Sequence, residues 1–293
     1  MTQIGISIVP DTESLDRHIE LAQVADRGGL SLVAVQDHPY QRHFFDTWSL
    51  IPVLLAETQW VSFCTDVANL PLRPPAVMAK AAATLDVVSG GRFELGLGGG
   101  GLPNLISNFG GPRRTPGETV EAVDEAIDVL RLLWSEQRSV SFEGKHYRLN
   151  DARPGPRPAH EIGIWLGAFR PRMIRLAGRK ADGWIPSLGP LTRDELRAGN
   201  HQIDQAAEAA GRDPGSIRRI INIQGLIGEG RPPSRAELPV GYLAHEPLSG
   251  PPDWWIQILA EFVEDGFDTV LFWPVEPTAD QVQRLIDEVA PNL

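Results

Sequence analysis

The 293-residue chain has a single cysteine, Cys64, and no stretch of about eighteen uninterrupted apolar residues. A lone cysteine excludes an internal disulfide framework, and without a cysteine cluster or a His-x-x-x-His pair the usual zinc spacings are missing too. No Gly-x-Ser-x-Gly segment occurs, which removes the nucleophile elbow of the common hydrolases. Positive charge is scarce: 27 Lys and Arg against 38 Asp and Glu give a net charge of −11. That balance argues against nucleic acid or an acidic membrane as the main partner, and an anionic ligand would need a local basic pocket. The first residues, MTQIGISIV, carry neither the basic region nor the apolar core of a secretory signal, so a cytoplasmic protein is expected. Apolar residues and chain-turning residues are plentiful. With 42% hydrophobic residues a substantial core is available, and 29 Gly with 25 Pro imply many short connections rather than a few long helices.

Runs suited to strands recur near residues 4, 32, 61, 93, 164, 184, 219 and 269, and most of the gaps between them carry helical spacing. LVAV at 32–35 is continuously apolar, as a parallel strand covered on both faces should be. Residues 117–134 set Val120, Val123, Ile127, Leu130 and Trp134 on one helical face, while 75–88 opens on Pro75 and closes on Ser89-Gly90-Gly91. Short alternation about Glu143-Gly144, within 139–149, predicts an excursion hairpin outside the main sheet. Eight strands with intervening helices predict a (β/α)8 TIM barrel with short insertions, one domain over residues 1–293. The rival is a doubly wound open sheet, which would leave the first and last strands apart. The Pro-rich stretch 229–252 exceeds the usual structureless connection and is a candidate lid or insertion.

In a barrel the chemistry belongs at the C-terminal strand ends. There the sequence places Asp37-His38, Asp66-Val67-Ala68-Asn69, a run of four glycines from Gly98, the turn from Gly167 to Arg170, and Pro186-Ser187. The segment GIWLGAFRPRMIRLAGRKADGWIP, residues 163–186, holds a strand, a helix and the next strand. Gly167 and Ala168 come just before Pro171 at the helix start, with Arg170 and Arg172 beside it. Open N–H groups at a positive helix end suit a phosphate; a packing turn with two solvated arginines fits equally. Gly96, Gly98 and Gly101 match the spacing of a dinucleotide fingerprint, but Leu102-Pro103-Asn104 follows where a helix should open at once. A backbone kept bare for a flat ring or a phosphate is one reading of these glycines, and a flexible loop is the other.

Asp37-His38 reads as an acid–base pair, the carboxylate tuning the imidazole, as a hydrogen-bonding pair for a cofactor ring, or as a surface turn. As neighbours on a strand, both reach one site only past the strand end. Phe44, Phe45, Trp48, Trp184 and Trp273 are candidates for an apolar substrate pocket or for the core. Cys64, inside an apolar strand, reads as a small core residue rather than a nucleophile.

Three segments together, VAVQDHP at 33–39, DVANLPLRPPAVMAKAAATLDVVSGGRFELGLGGG at 66–100 and LGAFRPRMIRLAGRKADGWIPS at 166–187, resemble the bacterial-luciferase-like superfamily of flavin- or F420-dependent oxidoreductases. The resemblance covers nearly the whole chain. It implies a barrel holding an isoalloxazine or deazaisoalloxazine ring at its mouth, and a non-prolyl cis peptide, here Asp66-Val67, pressing on that ring. It places Asp37 and His38 by the reactive ring edge, the histidine taking or supporting the transferred proton. Gly99 and Gly100 approach the cofactor, and Gly167, Ala168, Phe169 and Arg170 form the phosphate cradle. One departure stands out: Gly101 occupies the place where F420-dependent sugar-phosphate dehydrogenases have a glutamate. Their phosphate-binding lysines have no clear counterpart either, so that substrate is not carried over.

The implied activity is F420-dependent hydride transfer to or from a small organic substrate. The alternative is a reduced-FMN monooxygenase using O2 with a separate reductase, and a further one is a non-catalytic flavin-binding barrel. Homo-oligomers are usual in the superfamily. A sugar-phosphate isomerase or aldolase barrel lacks an obvious lysine at a strand end for a Schiff base.

Overall fold

Alternation along the first strand sets the architecture: Ile4, Ile6 and Ile8 join the core under the helices, which turns Gly5 and Ser7 toward the other face of the sheet. The structure is a computed structural model describing residues 2–230 and 247–293. Its strands are β1 (Gln3–Ile8), β2 (Leu32–Val35), β3 (Ser62–Thr65), β4 (Ala68–Asn69), β5 (Phe93–Gly98), β6 (Val140–Glu143), β7 (Arg148–Ala152), β8 (Ile164–Gly167), β9 (Gly183–Trp184), β10 (Arg218–Ile227), β11 (Leu248–Gly250) and β12 (Thr269–Pro274). Its helices are α1 (Leu15–Arg27), α2 (Thr47–Ala56), α3 (Pro75–Ser89), α4 (Pro103–Asn108), α5 (Pro116–Leu133), α6 (Pro171–Lys180), α7 (Arg193–Ala209), α8 (Pro252–Glu264) and α9 (Ala279–Arg284).

Parallel pairing runs β12, β1, β2, β3, β5, β8, β9, β10 and back to β12, so the sheet closes. Gln3 lies opposite Thr269 and Ile6 opposite Phe272, making first and last strands neighbours and excluding the open sheet. The eight expected strands are therefore the barrel staves. β4 resumes the third stave after Asp66-Val67, whose peptide bond is cis, and pairs Asn69 with Gly98. The expected hairpin is antiparallel β6–β7, docked on α5 by Glu125, which accepts from the Lys145, His146 and Tyr147 amides. Directly after the glycine run a helix does open, contrary to the reading of Leu102-Pro103-Asn104 as no helix start: α4 has Pro103 at its first position. Of the candidate lid at 229–252, residues 231–246 lie outside the described residues, and β11 extends the sheet beside β10.

Two apolar clusters result. The larger fills the space between barrel and helices; the smaller, inside the barrel, is Leu32, Ala34, Cys64, Trp165, Ile185, Ile220 and Leu271, with Val67 packed on it. Cys64 is sealed there, and burial pushes its thiol up, as suits a core residue. Of the five candidate pocket aromatics, Trp184 is fully buried outside the barrel with its indole on the Ala168 carbonyl at 2.9 Å, so it lines no mouth pocket. Trp48 and Phe45 pack with the outer core, Phe44 lies beside His38, and Trp273, half-buried, follows the inward Leu271 by two. Among the described residues no helix is long and apolar enough to cross a membrane.

Candidate active site at the barrel mouth

The third stave determines the floor of the mouth. Asp66 N–H still bonds the Val35 carbonyl at 2.7 Å, and the next residue, Val67, packs against the barrel-interior cluster. The staves beside it are glycine where they meet it: a Cβ on Gly98 would lie 2.6 Å from Val67 Cγ2, and one on Gly167 2.8 Å from the same atom. At Gly96 a Cβ would collide with the Thr65 carbonyl, and at Gly99 it would meet Thr119 and Met173 on α5 and α6. Gly100 has φ of +92° and faces Ile106 and Pro71. The bareness of this run therefore answers first to packing. Only Gly101 in the run opens on free space. The outcome is a low floor of Val67 and main chain.

Asp37 and His38 leave β2 in different directions. Asp37, 2% exposed, accepts the Asn69 N–H at 2.9 Å and the Trp48 indole N–H at 3.4 Å on one oxygen, Oδ2. Burial lifts its carboxyl, against the pull of the Asn69 amide and of Arg73. His38 bonds the Tyr40 hydroxyl through Nδ1 at 2.8 Å and is tilted against the Phe44 ring. Its pKa is lowered by burial. The expected tuning of the imidazole by the neighbouring carboxylate is absent: Asp37 fastens β2 to β4, and His38 is set by Tyr40.

A cavity of about 240 Å3 lies here, lined by Asp37, Pro39, Asp46, Asn69, Leu72, Arg73 and Phe109. Asp46 caps α2 and pairs with Arg73 at 3.1 Å, while the Arg73 guanidinium stacks over Trp48, so this cation is already engaged. Asn69, 5% exposed, has a buried Oδ1 that no protein donor reaches among the described residues. Nearer the axis, Asp66 accepts Ser7 Oγ–H and Asn222 Nδ2–H on Oδ2, at 3.1 and 2.6 Å.

The turn at Gly167 leads into α6 as the sequence implies. Ala168 is 1% exposed and Phe169 37%; Arg170 is the N-cap, no side chain caps the first turn, and Pro171 opens the helix. Arg170 and Arg172 are exposed. Pro171 has no N–H and Met173 N–H already bonds the Arg170 carbonyl at 3.0 Å, so of the first three helical positions only Arg172 keeps an N–H without a protein acceptor among the described residues, at a positive helix end with two cations adjacent.

Sequence reasoning assigned no role to Ser7, Tyr40, Arg73 or Asn222. Two of them carry a legible signal: Ser7 and Asn222 are polar residues at inward positions of strands that are otherwise apolar, GISIV and IINI.

A closed (β/α)8 barrel with Val67, His38 and the start of α6 at the C-terminal ends of its staves places this chain in the class of barrels whose sites lie at that mouth. The chain belongs to the luciferase-like monooxygenase family, whose match spans residues 1–252. It is 31% identical over 242 residues to an F420-dependent hydroxymycolic acid dehydrogenase of Mycobacterium tuberculosis, covering 80% of this chain and 65% of that one. It is 34% identical over 214 residues to an F420-dependent glucose-6-phosphate dehydrogenase of Kineococcus radiotolerans, covering 70% and 62%. The matched region thus spans less than two thirds of either relative. Among solved structures, an F420-dependent secondary alcohol dehydrogenase in complex with an F420-acetone adduct superposes with a TM-score of 0.86 at 20% identity, over 99% of this chain and 98% of that one.

Proposed function

We propose that the mouth binds coenzyme F420 and uses it for hydride transfer to or from a small organic substrate. The observation that carries this reading is the low Val67 floor sharing a mouth with the uncapped, arginine-flanked start of α6. The residues present fit such a group. The buried Oδ1 of Asn69, without a donor among the described residues, is an acceptor for a ring N–H, and the start of α6 with Arg170 and Arg172 would hold an anionic tail. Both relatives named above are F420-dependent by description, which supports the same choice.

When bound, the deazaflavin supplies the hydride chemistry. The chain's own residues supply position and proton handling. Asp37 holds Asn69 in place through the 2.9 Å bond to its amide. His38 Nδ1 is engaged with the Tyr40 hydroxyl; in the tautomer that protonates Nδ1, Nε2 is a neutral base, and burial, by lowering the pKa, favours the uncharged ring. Gly167, Ala168, Phe169 and Arg170 would lead the chain to the tail-binding helix start, and Gly99 and Gly100 follow the β5 end that pairs beside them. If the mouth takes reduced FMN instead, the reaction needs O2 and a separate reductase as partner.

The test is expression in a host that makes F420, followed by an absorption spectrum of the purified protein and of its His38→Ala variant. A co-purifying deazaflavin chromophore in both, with reduction of the bound chromophore by substrate lost in the variant, supports an enzyme. A chromophore whose reduction is unaffected by the variant makes the barrel a carrier, and no chromophore removes the F420 reading.

A further inference from the structure

Just above the apolar layer of Cys64, Ile220 and Leu271, three polar side chains from three staves meet: Ser7 of β1, Asp66 at the end of β3 and Asn222 of β10. Ser7 and Asn222 are sealed, at 1% and 3% exposure, whereas Asp66, just past the C-terminal end of β3, keeps some residual exposure. Both donors bond the same oxygen, Oδ2, at 3.1 and 2.6 Å. Among the described residues no donor reaches Asp66 Oδ1, and the buried Oδ1 of Asn222 has no partner at all. Native interiors rarely leave a buried amide oxygen without a donor, so the orphaned Asn222 Oδ1, on a side chain that bonds Asp66, together with the unengaged second oxygen of that carboxylate points to a partner outside the protein.

We propose that Asp66 is a proton-exchanging residue of this site, held through Oδ2 by Ser7 and Asn222 so that Oδ1 meets the bound ring or substrate. The inference rests on the cofactor reading above and adds a residue to it. With two donors already on Oδ2, a proton sits on Oδ1. In the ionised form Oδ1 takes an O–H or N–H proton from the bound molecule and the carboxylate becomes a neutral acid. The reverse step gives that proton back, to the molecule or to water when the mouth empties, so protons and charge balance over a cycle. Burial raises the carboxyl to about 6, against the two donors, which leaves both forms available near neutrality.

Among the described residues the neighbouring elements add no competing charge. On β2, Asp37 turns to Asn69 and Trp48, and His38 to Tyr40. On β3, Cys64 is a buried neutral thiol; on β5, Glu94 is held at the other end of the strand by the Gly163 amide and His160. The cations of β10, Arg218 and Arg219, lie at its opposite end with Asp268 and Asp204.

The test is the dissociation constant of F420 for the wild type and for Asp66→Asn, followed by fluorescence from pH 5 to 8, taken as a ratio so that the ligand's own ionisation cancels. A ring over Oδ1 excludes water and favours the neutral acid, so wild-type binding takes up a proton. The ratio of wild-type to variant Kd then rises with pH, about tenfold for each unit by which binding raises the pKa. Ser7→Ala, which removes a donor to the charged form, moves the inflection upward. A ratio that stays flat while both proteins bind F420 overturns the inference and leaves the cofactor reading intact. If neither protein binds F420, the cofactor reading fails, and carboxyl carbon-13 NMR of the ligand-free protein decides on Asp66. A resonance that is absent in Asp66→Asn, titrates near 6 and moves upward in Ser7→Ala supports the proton-exchange role; one at the usual carboxylate value overturns it.

Discussion

A Cβ added to Gly98 would stand 2.6 Å from Cγ2 of Val67. This closeness links the two most informative stretches of the chain, the end of the third stave and the glycine run of β5. It also explains why glycine recurs at 96, 98 and 167: each faces Thr65 or Val67 across the barrel wall. The floor on which a ring would lie is thus made by one protruding valine and neighbours too small to push it aside.

The pair can be tested as a unit. Gly98→Ala should destabilise the protein by about 1–3 kcal/mol, the range for overpacking a filled interior. Val67→Ala in the same chain should return part of that loss. Urea unfolding of both single variants and the double variant gives the coupling, and additive effects would show that the two side chains do not compete for space.

Asp37 should matter for the fold before it matters for chemistry. Asp37→Ala leaves the Asn69 amide and the Trp48 indole without an acceptor, a loss of about 1–3 kcal/mol for a buried donor. Asp37→Asn keeps an acceptor oxygen and should retain most of the stability. Equal losses in the two variants, measured by denaturant titration, would mean that the negative charge rather than the hydrogen bond is what counts.

Asp66 should reveal itself in the pH dependence of stability. Its folded value of about 6 exceeds the ordinary 3.8, so between these pH values the folded state holds a proton that the unfolded state has lost. Wild-type stability therefore falls as pH rises from about 4 to about 6 and stays lower above that, by at most about 3 kcal/mol at roughly 1.4 kcal/mol per pKa unit. Asp66→Asn lacks this loss, so its melting temperature relative to the wild type should climb across that window. Parallel curves from pH 4 to 8 would contradict the raised carboxyl.

At the opposite end of the barrel, His160 sits between the sealed Asp86 at 2.7 Å and Glu94 at 3.2 Å. Burial works against the charged ring, but Glu94 and Asp86 outweigh it and raise the pKa. The stabilisation is fully present below the unfolded value of about 6.5 and is lost as pH rises through the higher folded one. The melting-temperature gap between the wild type and His160→Gln should accordingly shrink from pH 6 toward pH 9. A gap independent of pH would mean that the ring acts only as a neutral hydrogen-bonding spacer.

Much of the fold was legible because each stave is a short apolar run beside a turn signal, and LVAV at 32–35 and FELGLG at 93–98 are strands where their composition places them. α4 was not legible, since one and a half turns started by Pro103 carry too little periodicity to stand out from a loop. At the site, the positions of Asp37, His38 and Asp66 followed from strand ends, but their partners did not. That Asp37 would turn to Asn69 and His38 to Tyr40 depends on side-chain directions past the end of β2, which adjacency in sequence does not determine. Ser7 and Asn222 meet Asp66 only because β1 and β10 are staves of the same closed barrel. The reason first given for the glycines was incomplete, because the neighbour that needs the space, Val67, lies on another strand.

The most direct measurement is a fluorescence titration of purified protein with F420, repeated with Arg170→Ala/Arg172→Ala. Saturable binding by the wild type, weakened by about tenfold or more and with a smaller salt dependence in the variant, is the expected result, since removing cations from an anion site lowers both. Saturable binding of neither F420 nor reduced FMN by the wild type would contradict a ring-holding mouth altogether.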